Sequence, residues 1–342
     1  MSMRFRLLGR TGLRVSEVFL GAMTFGEEEI GSSPPEACRI LDLYAEAGGN
    51  LIDTANFYSG GRSETILGEL LTGRRDRFVL ASKYTISRDG SDPNAAGSHR
   101  KNLTLSLEAS LRRLRTDYLD LYWVHLWDRH TPIQETMRAL DDAVRAGKIL
   151  YIGMSDAPAW VVAQANTLAE WHGWTTFAAL QAPYSLLNRD IERELLPMAQ
   201  TFGLTVAAWG PLAHGVLSGK FTSANGPQVS TRVSPRSLGA REHAVAQAVQ
   251  EVADEIGATS AQVAIAWTRA RSCTVHPILG ARSAAQLQDT LGALDLTLPD
   301  HTVRRLEAAT DFTLGFPGDF LAQTGQAVFG EAAAKLDGRP LP

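Results

Sequence analysis

Asp53, Tyr58, Lys83 and His125 are side-chain types that together can place a proton on an oxygen atom. A phenol is a weak acid with a pKa near ~10, and an adjacent ammonium is expected to lower that value by stabilising the phenolate. On this reading Tyr58 delivers a proton at neutral pH, Asp53 holds and charge-balances Lys83, and His125 orients a carbonyl oxygen or assists the transfer. A carbonyl polarised by Tyr58 and His125 is ready for a hydride. Each residue alone also has an ordinary reading: Asp at a strand end is a common turn former, and Lys or His there is often only solvated or hydrogen-bonded. The set acts together only if the fold gathers it.

The elements that would gather it are legible as apolar runs. Eight β-like runs (18–21, 50–55, 78–84, 118–125, 149–155, 177–184, 204–211 and 276–281) alternate with stretches of helical periodicity. That alternation predicts a parallel sheet, and runs as apolar as 149–153 predict burial on both faces. Eight units favour an α/β fold of the (β/α)8 TIM-barrel type, which keeps its chemistry at the C-terminal ends of the strands. Asp53, Lys83 and His125 fall at those ends in three consecutive runs, with Tyr58 just beyond the first of them. Ser155-Asp156 closes the fifth run, the sixth carries Gln181, the seventh Trp209, and the eighth leads into Gly280-Ala281-Arg282.

Helix signals lie between the runs. Ser33-Pro34 predicts a helix ending at Gly48, and Thr131-Pro132-Ile133-Gln134 reads as a capping box, with Pro at the first helical position, for a helix stopping at Gly147. Further helices are predicted at 64–71, 100–115, 159–170, 189–202, 242–256 and 284–291. Two more, at 260–270 and 302–309, exceed one per strand and are expected to be appended. Residues 4–8 and 13–18 flank Gly9-Arg10-Thr11-Gly12 and predict an N-terminal β-hairpin that plugs the barrel floor. The stretches 221–239 and 311–342 lack element signals and are expected to be long loops of the binding face. Residues 1–342 are thus expected to form one barrel domain, with 311–342 as a C-terminal tail.

Composition removes several function classes. Lys and Arg number 33 against 37 Asp and Glu, a net charge of −4, so no overall basic field recruits nucleic acid or anionic lipid. No run approaches the ~18 apolar residues of a membrane span, and the four arginines within residues 1–20 are unlike a signal peptide, so a soluble cytoplasmic protein is expected. Cys38 and Cys273 lack the spacing of a zinc site or a disulfide framework; a reducing compartment fits, and both are expected to be small core hydrophobes. Most of Trp123, Trp127, Trp160, Trp171 and Trp174 are expected in core or interhelix packing, Trp127 being the exception that could wall a substrate pocket. No histidine pair has metal-binding spacing, and no Gly-x-Gly-x-x-Gly follows a strand, so a dinucleotide would not bind in Rossmann fashion.

The chain resembles the aldo-keto reductases from Phe5-Arg6-Leu7-Leu8-Gly9-Arg10-Thr11-Gly12-Leu13 through Arg282. Leu51-Ile52-Asp53-Thr54-Ala55-Asn56-Phe57-Tyr58, followed by Ser63-Glu64 and Leu67-Gly68, resembles the family's first signature. Val79-Leu80-Ala81-Ser82-Lys83 and Asp120-Leu121-Tyr122-Trp123-Val124-His125 resemble its catalytic Lys and His strands. The resemblance implies Asp53, Tyr58, Lys83 and His125 as catalytic residues and NADP(H) as cofactor, with a small-molecule carbonyl substrate. It implies nicotinamide contacts from Gln181 and Ser155, with Asp156 where the family usually has Asn; ionised, Asp156 cannot donate to a carboxamide. Trp209 takes the position that stacks on the nicotinamide, followed by Gly210 in place of a common Ser, then Pro211 and Leu212. Gly215, Ser218 and Lys220 resemble the loop over the pyrophosphate. Gly280, Arg282 and Gln286 resemble the adenosine-phosphate site, where Arg282 and a helix N-terminus would favour a 2′-phosphate, hence NADPH over NADH. Asp289 and Thr290 stand where the family often has Glu and Asn, so adenine contacts are expected to differ. Gly21, Ala22 and Met23, at the end of the first run, are expected to line the cofactor side, and Trp127 to touch substrate. Arg232 or Arg236 would add phosphate contacts or simply be solvated.

Two other classes compete. The resemblance extends to beta subunits of voltage-gated potassium channels, which implies a cofactor-binding regulatory module. A metal-dependent barrel hydrolase would need three or more clustered ligands, and only His125 and Asp53 offer themselves. The sequence carries no signal of oligomeric state.

Overall fold

The computed structural model describes residues 3–27, 31–222 and 238–335, except the side chains of residues 333 and 334. Strands β1 (Phe5–Leu7) and β2 (Arg14–Ser16) form an antiparallel hairpin. Eight further strands close into a parallel barrel: β3 (Phe19–Gly21), β4 (Leu51–Asp53), β5 (Val79–Tyr84), β6 (Leu119–Val124), β7 (Ile149–Ser155), β8 (Phe177–Pro183), β9 (Thr205–Trp209) and β10 (Val275–Gly280), with β10 pairing both β9 and β3. The fold is a (β/α)8 TIM barrel with an N-terminal hairpin.

Strand alternation separates two apolar layers. Phe19, Leu51, Val79, Ala81, Leu121, Trp123, Ala179, Ala207 and Ile278 share the barrel interior, while Leu20, Ile52, Leu80, Tyr122, Ile152, Leu180 and Val206 pack with the helices. Trp123 is the largest interior side chain, and it fits because residue 153 is glycine: a Cβ there would come within 2.4 Å of the indole. Leu8 and Val15 of the hairpin region join the interior layer and seal the floor. Gly9 makes that approach possible at φ 55, since a Cβ would meet the Ala178 carbonyl oxygen at 2.3 Å; its N–H donates to Thr205 Oγ1 at 2.8 Å.

The outer helices are α1 (Pro34–Glu46), α2 (Arg62–Leu70), α3 (Arg100–Leu114), α4 (Ile133–Arg145), α5 (Ala159–His172), α6 (Leu195–Phe202), α7 (Ala240–Ile256), α8 (Ser260–Ala270), α9 (Ala284–Leu291) and α10 (Asp300–Ala308). Several expectations need correction. It is α8, expected as an appendage, that packs on β10, while α7 packs outside it on α8. The Thr131 capping box is absent: α4 starts one residue later with Pro132 at its N-cap, because Thr131 Oγ1 donates to Asp128 Oδ2 at 2.5 Å. The helix expected over 189–202 is broken. Arg189 turns inward to Glu192 (2.7 Å) and Thr310 (3.2 Å), leaving a 3-10 turn, Asp190–Glu192, before α6.

The tail is not structureless among the described residues, but forms α11 (Gly318–Gln323), α12 (Gly325–Phe329) and a 3-10 turn at Gly330–Lys335. Cys273 is exposed and Cys38 half-buried against Asp42, so neither is a core hydrophobe. Trp171 and Trp160, at 87% and 60% exposure, are likewise not core residues. No helix among the described residues is long and apolar enough to cross a membrane.

Candidate active site

The C-terminal ends of β4 and β5 place Asp53 and Lys83 side by side, both buried. The Lys83 ammonium has three N–H donors, and all are accounted for: the Asp53 carboxylate, the Thr54 carbonyl at 2.9 Å and the Tyr58 hydroxyl oxygen at 3.0 Å. Asp53 Oδ1 also accepts from Gln181 Nε2 at 3.1 Å. Since Tyr58 Oη accepts from Lys83, its own O–H remains to be donated elsewhere. His125, directly after β6, presents its ring edge-on to Tyr58, with centroids 5.8 Å apart and planes at 85°.

Local sequence fixes Tyr58. It begins a 3-10 turn, Tyr58–Gly61, in which Ser59, Gly60 and Gly61 have φ of 50, 63 and 92°. Two glycines in such a run keep the left-handed bend inexpensive. The following Ser63-Glu64 pins it: Ser63 Oγ donates to the Ala22 carbonyl at 2.7 Å and lies 2.8 Å from Thr54 Oγ1, and buried Glu64 accepts from Ser82 Oγ at 2.5 Å and Arg113 Nε at 2.7 Å. The turn carrying Tyr58 and the strand carrying Lys83 are thus tied to one carboxylate.

Electrostatics correct one expectation. Burial dominates at Tyr58 and pushes the phenol above its ordinary value; Lys83 opposes this without overcoming it, so the group is protonated, not ionised, at neutral pH. Burial alone would depress Lys83, but Asp53 and Tyr58 together hold it above the ordinary lysine value. His125 is pushed down to about 3, by burial first and by Lys83 second, and its imidazole is neutral. Its Nδ1 is buried without a hydrogen-bond partner.

Other candidate residues fall around the same barrel end. Gly21 ends β3, Ala22 N–H donates to the Asp53 carbonyl at 2.8 Å, and Met23 is 43% exposed. Ser155 ends β7 with its Oγ buried and unpartnered. Asp156 follows, and its Oδ1 accepts from the indole N–H of Trp209, the last residue of β9, at 3.1 Å. Gly210, Pro211 and Leu212 lead into a 3-10 turn, Ala213–Ser218, where Ser218 Oγ donates to the Gly215 carbonyl at 2.7 Å; Lys220 Nζ lies near Gly215.

At the end of β10, Gly280 is exposed and Arg282 borders a cavity with Ser32, Ser33 and Arg62. The backbone N–H of Arg282 donates to Gln286 Oε1 at 3.0 Å. The α9 N-terminus is partly occupied, since Ser283 caps Gln286 and Glu36 Oε1 accepts from Ala284 N–H at 2.6 Å. Asp289 and Thr290 turn toward the fold: Asp289 Oδ1 accepts from Thr259 and Gln262, and Thr290 donates back to its own helix. Trp127 packs at the mouth, edge-on to Trp160 at 5.6 Å. Arg232 and Arg236 lie outside the described residues.

Three contributors escaped sequence reasoning. The Thr54 carbonyl is backbone and leaves no mark in a sequence. Asn56, buried with both amide atoms unpartnered, sits inside the motif already singled out. Glu36 caps a helix 248 residues away.

A TIM barrel whose mouth unites a buried Asp-Lys pair with a tyrosine and a neutral histidine places the chain in a defined class. The chain belongs to the aldo/keto reductase family, whose sequence profile matches residues 17–311, and is an oxidoreductase. It is similar to norsolorinic acid reductase stcV of Emericella nidulans, 43% identical over 92% of this chain and 83% of that one. It is also similar to norsolorinic acid reductase of Aspergillus flavus, 36% identical over 93% and 84%. A putative aryl-alcohol dehydrogenase, AAD14 of Saccharomyces cerevisiae, is 36% identical over 92% and 88%.

Proposed function

We propose that the protein interconverts carbonyl compounds and alcohols with NADP(H), with aryl aldehydes or ketones as the preferred substrate class and Tyr58 as the proton donor. The observation that carries this reading is the Lys83 ammonium shared between Asp53 and the Tyr58 hydroxyl oxygen. That bond leaves the phenol O–H for a substrate oxygen, and after transfer the phenolate stays beside a cation. His125, neutral and edge-on to Tyr58, is placed to orient the same oxygen. Bound NADPH would supply the hydride. The unpartnered buried Ser155 hydroxyl supports a polar ligand between β7 and β8, beside Gln181 and the Trp209 ring. Arg282 is the cation assigned to the 2′-phosphate.

The aryl preference draws on the relatives named aryl-alcohol dehydrogenase and norsolorinic acid reductase. It also draws on Trp127 and Trp160 as flat apolar surfaces at the mouth. The test is NADPH and NADH oxidation against a panel of aryl and alkyl aldehydes, ketones and sugars. Turnover of aryl carbonyls with NADPH is expected, and Arg282→Ala is expected to weaken NADPH about tenfold more than NADH. Flat traces with nucleotide still bound would point instead to a regulatory module. An equal loss for both cofactors would remove Arg282 from the phosphate.

A further inference from the structure

Asp156 is the mouth carboxylate that the proton-transfer chemistry leaves unused. It follows β7 directly in a left-handed backbone conformation, φ 46. Its N–H donates to the Gln181 carbonyl at 3.1 Å and its Oδ1 accepts from Trp209 Nε1 at 3.1 Å. The backbone is therefore tied to β8, and the carboxylate to β9 through the indole ring assigned above to the nicotinamide.

The charges around it leave it uncompensated. Asp53 is neutralised by Lys83, all of whose donors are used. His125 is neutral. Among the described residues no Lys, Arg or His forms an ion pair with Asp156; its bonded partner, the indole N–H, is neutral. Burial pushes its carboxyl up, against the Trp209 indole, the adjacent Ser155 hydroxyl and, least, the more distant Lys83; the two nearer groups are neutral.

A nicotinamide ring is cationic when oxidised and neutral when reduced. A fixed carboxylate beside it discriminates between the two, and partial burial strengthens the discrimination. We infer that Asp156, fixed by the Trp209 indole, sets the balance of the site between the two redox forms of the cofactor by favouring the oxidised, cationic one. Asn in its place could accept the same indole bond but would carry no charge. The inference rests on the nicotinamide position in the proposed function, and its test separates the two.

Fluorescence titration of the full chain with NADP+ and with NADPH gives both dissociation constants without turnover. Asp156→Asn is expected to raise the ratio Kd(NADP+)/Kd(NADPH) about tenfold, while Asp156→Glu, which keeps the charge, stays within about twofold of the parent. Trp209→Phe keeps a ring but releases the carboxylate, and is expected to raise the ratio about threefold; it carries the test should Asp156→Asn fail to fold. An unchanged ratio in the folded Asn variant, an equal shift in the Glu variant, or an unchanged ratio in Trp209→Phe overturns the inference. If the parent chain binds neither nucleotide, the proposed function itself fails.

Discussion

The two ends of the barrel each bury a histidine, and their surroundings could hardly differ more. At the floor His276 stacks on Phe19, centroids 4.9 Å apart, with Nδ1 3.0 Å from the Ser16 carbonyl and Leu8 and Val15 sealing the layer below. At the mouth His125 meets Tyr58 edge-on, beside Lys83 and Asp53. Burial lowers both, His276 to about 4 and His125 to about 3. A depressed imidazole therefore does not by itself mark the reacting end of this fold. The distinction lies in the neighbours: at the floor, apolar packing, one carbonyl and the opposed, more distant charges of Arg6 and Glu17; at the mouth, the Tyr58 hydroxyl bonded to the Lys83 ammonium.

The comparison is broken first by removing the mouth's cation. Lys83→Met leaves the Asp53 carboxylate buried and unpaired, which is expected to cost ~3–5 kcal/mol in denaturant unfolding as well as turnover. A variant as stable as the parent would mean that the pair carries no such charge.

At the floor, Leu8→Ala removes apolar contacts and is expected to cost ~2–5 kcal/mol of stability, with kcat within about twofold of the parent. A large fall in kcat at unchanged stability would dissolve the division of labour between the ends.

The pH dependence sharpens the same contrast. An unfolded histidine titrates near ~6.5. Between that value and about 4 the unfolded chain binds more protons at His276 than the folded one, so stability rises with pH across the window and is lost as pH falls through it. His276→Gln is expected to flatten the slope of unfolding free energy by up to ~1.4 kcal/mol per pH unit between pH 6.5 and 4, leaving kcat at pH 7 unchanged. An equally steep profile would place the neutral histidine elsewhere.

Much of this layout is written locally in the chain. The eight strands are legible because each is an apolar run bounded by turn residues, and strand-end positions of a barrel are topologically equivalent, so Asp53, Lys83 and His125 could be aligned without coordinates. Choices between layers were less plain. α7 buries one stripe (Val245, Ala246, Val249, Val252, Ala253), whereas α8 is buried through the continuous run 263–268, the mark of a helix covered on both sides, by β10 and by α7; counting one helix per strand passed over that difference. Arg189 breaks a helix because Thr310, 121 residues away, accepts from it. Tyr58 is raised rather than lowered because burial outweighs Lys83, and a sequence displays the neighbouring lysine but not the depth of burial. The Asp156–Trp209 bond joins side chains 53 residues apart, from the residue after β7 to the end of β9, two strands that are not neighbours.

The most direct measurement is kcat and NADPH affinity on one preparation of Tyr58→Phe, which keeps the ring against His125 and deletes only the hydroxyl. With that hydroxyl gone, kcat is expected to fall about 10²–10⁴-fold while the dissociation constant stays within about twofold. A kcat equal to the parent's would contradict Tyr58 as the acid.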